Sequence, residues 1–132
     1  MYHPKQREID AAIKRMFDEI DHILEDRYRG SFPLHPARPQ HGTTANPSAD
    51  GLFNIGASFS PGYGSTHGRG YVIDVHLATL ADVPASVYHQ IEQETVELIQ
   101  EKLPQYLPNR TLEVRQDGSL FKIVGNFRLG DI

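Results

Sequence analysis

Histidine and carboxylate side chains are where this sequence could do chemistry: it has 7 His and 17 Asp+Glu, and no Cys. Without cysteine there is no disulfide framework, no thiolate metal site and no cysteine nucleophile. Asp74 and His76 stand two apart in an alternating stretch, so on a strand both leave the same face, roughly 7 Å apart at Cα. His35, His41, His67 and Asp50 fall on segments flanking that strand. One Asp with two or three His is a ligand set for a divalent transition metal, which makes Asp74, His76, His35 and His41 the metal candidates. The same groups would orient a histidine as general base, so Asp74, His76 and His67 are the catalytic candidates. No His-Glu-x-x-His motif is present. Asp50 with Asp74-Val75-His76 maps loosely onto a nuclease core that uses an Asp and an acid-x-Lys, but the lysine is missing.

A second chemical feature is the run Pro61-Gly62-Tyr63-Gly64-Ser65-Thr66-His67-Gly68-Arg69-Gly70. Glycines allow successive backbone N–H groups to turn toward an anion, and Ser65, Thr66, His67 and Arg69 would add donors and charge. No Gly-Lys-Ser/Thr occurs, and a strand rather than a helix follows, which excludes a Walker A loop and a dinucleotide fingerprint. The run therefore reads as a binding loop for a small anion or a protein surface.

These residues need elements to position them. Ile9, Ile13, Met16, Ile20 and Ile23 repeat at 4-3-4-3 spacing, with Phe17, Leu24 and Tyr28 beside them, and predict a helix over 4–29 that ends at Gly30. Asp10/Lys14, Arg15/Glu19 and Glu25/Arg29 are its expected i,i+4 ion pairs. Residues 31–70 hold 7 of the 11 glycines, 5 of the 9 prolines and 3 of the 7 histidines. Within them, the alternation of Phe53, Ile55, Ala57 and Phe59 predicts a strand at 52–59. Tyr71, Ile73, Val75 and Leu77 predict a second strand. A helix is expected to open at Asp82 and Pro84 and to stop before Pro104. Asp117-Gly118 then reads as a two-residue hairpin turn, placing Leu112 opposite Ile123, Glu113 opposite Lys122 and Val114 opposite Phe121.

The expected architecture is one α+β domain over 1–132, in the order α-β-β-α-β-β. It comprises an N-terminal helix (1–30), a Pro/Gly-rich lead-in segment (31–51) and a ββαββ core (52–128). Both helices should cover one face of a four-stranded, mainly antiparallel sheet made of two hairpins. The other face would stay open, carrying Asn54, Ser58, Asp74, His76, Glu113, Arg115, Lys122 and Val124.

Charge and hydropathy narrow the partners. A net charge of −4 and the lack of an aromatic-lined basic surface argue against nucleic acid. The Pro33-x-x-Pro36-x-x-Pro39 spacing reads as a stiff connector. Glu94, Glu97 and Glu101 read as a solvated helix flank. No apolar run approaches the roughly 20 residues of a membrane span, and Met1–Asp10 lacks the apolar core of a signal peptide, so a cytoplasmic setting is expected. The first helix is a candidate homodimer surface. Function reads as a ligand- or protein-binding module, with no cofactor required. The alternative is a small metal-assisted hydrolase, and the sequence leaves open whether the chain is an enzyme.

Overall fold

A 4-3-4-3 apolar stripe buries itself only against another apolar surface, and alternating strands supply a flat one. The computed structural model describes residues 4–61 and 69–125. Its elements are α1 (Pro4–Arg27), a 3₁₀ turn (Pro47–Ala49), β1 (Phe53–Ser60), β2 (Gly70–Leu77), α2 (Ala85–Tyr106), β3 (Leu112–Asp117) and β4 (Leu120–Gly125). The strands form one antiparallel sheet in the order β1-β2-β4-β3. The α-β-β-α-β-β fold is therefore the one the periodicities indicate.

The core lies between helices and sheet. From α1 come Ile9, Ile13, Met16, Phe17, Ile20 and Leu24, and from α2 Ile91, Val96, Leu98, Ile99 and Leu103. They meet Phe53, Ile55, Tyr71, Ile73, Leu77, Val114 and Ile123 on the sheet. Burying each large apolar side chain stabilises the fold by about 1.5–3 kcal/mol, so this layer holds both helices in place.

The expected i,i+4 pairs do not form: their acids turn to other elements, and two of their cations take different local partners. Glu19 accepts from Lys102 Nζ at 2.8 Å and from Tyr106 Oη at 2.7 Å, tying α1 to α2, and these bonds hold its carboxyl below the usual range. Asp10 accepts from Gln6 and Tyr71 rather than pairing with Lys14, which donates to Asp18 and Asn46. Arg29 pairs with Asp26, and Glu25 turns inward. A partner on another element brings burial as well as charge, which an exposed i,i+4 pair cannot.

Three sequence expectations need correction. Helix α2 does not stop at Pro104 but runs to Tyr106, with Leu107 N–H donating to Leu103 O at 2.8 Å. Buried Leu103 and the Tyr106–Glu19 bond hold the final turn in spite of the ring. The second hairpin is shifted by two residues: Leu112 faces Gly125, Glu113 faces Val124, Val114 faces Ile123 and Arg115 faces Lys122. Its central residues are Gly118-Ser119, with only Gly118 at positive φ (65°). That pattern suits a type II′ turn, whereas a type I′ turn centred on Asp117-Gly118 would force Asp117 to positive φ. Finally, the outer face is not open throughout. Lys122 and Val124 are 3% and 7% exposed, and Lys122 Nζ lies 3.2 Å from Asp117 Oδ2.

Candidate metal centre

Asp21 follows Ile20 in the inward stripe of α1, four residues after Phe17, so the helix carries a carboxylate into the interior. It is 1% exposed, and neither of its oxygens has a hydrogen-bond partner. Glu25 lies one turn further on. Its carboxylate accepts from the backbone N–H groups of Leu52 and Phe53, the latter at 3.0 Å, joining α1 to the start of β1.

The opposite wall is the lead-in segment, and Arg38 organises it. Its guanidinium donates to the carbonyls of Gly51 (2.9 Å), Ser48 (2.6 Å), Asp50 (3.1 Å) and Phe53 (3.1 Å). Outside this hub, Gly51 N–H donates to Pro39 O and His35 N–H to Ala78 O, both at 2.8 Å. The folded segment presents Asp50, which is fully buried. Asp50 Oδ2 accepts from Thr44 N (2.9 Å) and Thr44 Oγ1 (2.8 Å), while its Oδ1 makes no hydrogen bond and lies 3.4 Å from His41 Nδ1.

His41 completes the cluster. Its Nδ1 is also 3.9 Å from Glu25 Oε2, and the ligand atoms of Asp21, Glu25 and His41 all lie within 4.8 Å of one another. Its Nε2 is hydrogen-bonded to His22 Nδ1 at 3.0 Å, with the two rings edge to face. Gly51, at φ +70°, closes the wall: a Cβ there would stand 2.6 Å from both Glu25 carboxylate oxygens. Gly51→Ala is therefore expected to cost about 1–3 kcal/mol through backbone strain and displacement of Glu25. Urea unfolding checks this, and an unchanged midpoint would show that the wall yields without cost.

Charge is unbalanced here. Three carboxylates converge, and Arg38, a nearby cation, directs its Nε and Nη2 to backbone carbonyls. Burial, and then the charges of Glu25, Asp50 and Asp18, push the Asp21 carboxyl up to about 8, with Arg38 opposing only in part. Burial also acts to raise Asp50, but hydrogen bonds from Thr44 and Gly42, and the neighbouring His41, outweigh it and hold that carboxyl below the usual range. Buried carboxylates with bare oxygens facing an imidazole are the donor set of a divalent transition ion. His22 occupies the position of the outer partner that fixes a ligating imidazole's tautomer.

Of the residues singled out from sequence, His41 and Asp50 belong to this cluster. His35 Nδ1 accepts from Ala37 N–H at 3.0 Å, and with His76 it lines a separate cleft of about 400 Å³. Asp74 and His76 are exposed on the outer sheet face, opposite Gly56 and Asn54. Arg69 is exposed just before β2, and Ser65, Thr66 and His67 lie outside the described residues. The residues that sequence reasoning missed are Asp21, Glu25 and His22. Asp21 interrupting an apolar stripe, four residues before a second acid, was the available signal.

An α+β domain whose first helix and lead-in segment converge on a carboxylate–histidine cluster is the class that fold and site define. Residues 4–125 match the model of a family described as "Uncharacterised protein", and the chain belongs to that family. A Borreliella burgdorferi protein, described as "Uncharacterized protein", is 34% identical over 123 residues, covering 93% of this chain and 96% of its own length. No solved structure matches the chain significantly. Among the described residues, no helix is long and apolar enough to cross a membrane.

Proposed function

We propose that this chain is a divalent-metal-binding domain in which Asp21, Glu25, Asp50 and His41 hold the ion. The observation that carries this reading is the buried Asp21 carboxyl, with neither oxygen partnered, and the bare Oδ1 of buried Asp50, both set beside His41. A buried carboxylate without a partner costs several kcal/mol, and a bound cation offsets that cost directly. The imidazole among carboxylates favours Mn²⁺, Fe²⁺ or Zn²⁺ over Mg²⁺, which prefers oxygen and water. Asp74 and His76 contribute less to the reading because both are exposed.

Binding would join α1 to the 38–51 segment, since Asp21 and Glu25 come from one and His41, with Asp50 3.4 Å from its Nδ1, from the other. The test is thermal unfolding of chelator-treated protein with Mn²⁺, Fe²⁺ (anaerobically), Zn²⁺ or Mg²⁺ added. At a hundredfold excess over Kd, the preferred ion is expected to stabilise the fold by about 2.7 kcal/mol, with Mg²⁺ well behind. Failure of Mn²⁺, Fe²⁺ and Zn²⁺ alike to shift the transition would refute the assignment.

A further inference from the structure

The cluster is closed on one side and open on the other. Asp21 and Asp50 are buried, whereas the His41 side chain is 30% exposed. Glu25 and His41 form the inner wall of a cleft of about 330 Å³, a volume in the range of small-molecule sites. Four protein ligands leave a transition ion at least one coordination position when it is five- or six-coordinate, and this cleft is the side from which an outside ligand reaches it.

The rest of the lining states what that ligand is. Phe32, Leu34, Leu52 and Tyr28 supply an apolar wall, and Arg29 supplies a guanidinium at the mouth. The Arg29 side chain is 82% exposed, and its pairing with Asp26, itself 78% exposed, is of the kind worth little. Turning Arg29 toward a ligand therefore costs little. With a divalent ion in place, the ion and Arg38 offset the three carboxylates, so an incoming oxyanion is not repelled and Arg29, released from Asp26, is the cation it meets.

Resting on the metal-binding reading, we infer that this cleft binds a small organic anion: a phosphate monoester or carboxylate on an apolar body. Its oxygen completes the metal's coordination, Arg29 pairs with its charge, and Phe32, Leu34 and Leu52 contact its body. The direct test is phosphorus-31 relaxation of phenyl phosphate with Mn²⁺-loaded protein, alongside inorganic phosphate. Benzoate and acetate serve as competitors to separate carboxylate from phosphoryl recognition. Bound Mn²⁺ should sharply relax phenyl phosphate, which should bind at least fivefold tighter than inorganic phosphate. Arg29→Gln should weaken phenyl phosphate at least fivefold while leaving the Mn²⁺ affinity, read by its paramagnetic resonance, unchanged. If benzoate displaces phenyl phosphate and binds more tightly, the cleft is a carboxylate site; if it does not compete, a phosphoryl site. Mn²⁺ binding without relaxation by, or competition from, any of these anions would overturn the cleft assignment and leave the metal centre standing. No Mn²⁺ binding, with Zn²⁺ and Fe²⁺ also inert, would remove both.

Discussion

Replacing Asp21 by Asn is expected to stabilise the metal-free protein at pH 8 by about 1–3 kcal/mol and to abolish its response to metal. The side chains are nearly isosteric, so packing against the neighbouring turn is kept while the buried charge is removed. The sign follows from the direction of the shift. The folded-state pKa of Asp21 is about 8 against an ordinary value of 3.8, so the folded chain holds this proton more tightly than the unfolded one. The group's favourable contribution is fully present below pH 3.8 and is lost as pH rises toward 8. Asparagine does not titrate, so the variant and the parent should converge near pH 4 and separate toward pH 8. Chemical denaturation in chelator at both pH values measures the gap. An Asp21→Asn variant less stable than the parent at pH 8 would mean that Asp21 is a structural hydrogen-bonding group, not a destabilised ligand. A residue that weakens the free fold and is needed for the ion is the trade-off expected of a binding site.

Arg38→Ala is expected to cost about 3–5 kcal/mol, the largest loss from any single side chain outside the apolar core. Its guanidinium satisfies four backbone carbonyls in the 48–53 stretch, and removal leaves those partly buried acceptors without a donor. Arg38→Lys should recover little, because an ammonium on a flexible stem cannot reproduce the planar fork. Both variants should also lose the metal-induced stabilisation, since Asp50 and His41 are held in place by the segment Arg38 folds. Urea midpoints together with the Mn²⁺ shift provide the measurement. If Arg38→Ala loses less than about 1 kcal/mol, with m unchanged, the lead-in segment does not depend on this hub.

The elements were readable because their signal is local. The stripe from Ile9 to Leu24 and the alternation from Phe53 to Phe59 each repeat at the period of the structure they form. The hairpin register was not readable, because Asp117-Gly118 and Gly118-Ser119 both offer acceptable turns, and strand pairing chose between them. Helix α2 passes Pro104 for a similar reason: a tertiary bond from Tyr106 to Glu19 outweighs a local preference. The histidines read from the sequence as metal ligands do not converge on one site in the structure. Asp74 and His76 share a face, as their spacing requires, but that face is exposed and His35 and His41 go to different places.

By itself, the sequence determined the α+β class, the order of elements, the apolar layer between helices and sheet, and the lead-in segment as the unusual stretch of chain. Each depends on periodicity, composition or turn chemistry within a few residues. Only the tertiary structure decided that Arg38 folds the lead-in segment back on α1 and that Asp21 and Glu25 meet Asp50 and His41. Those residues are up to 29 positions apart, and no local pattern encodes which loop carbonyls a guanidinium will gather. Nor does any local pattern show which carboxylates will be buried without a partner. That depends on desolvation by distant chain, and it is this burial that turns ordinary acidic residues into a candidate metal centre.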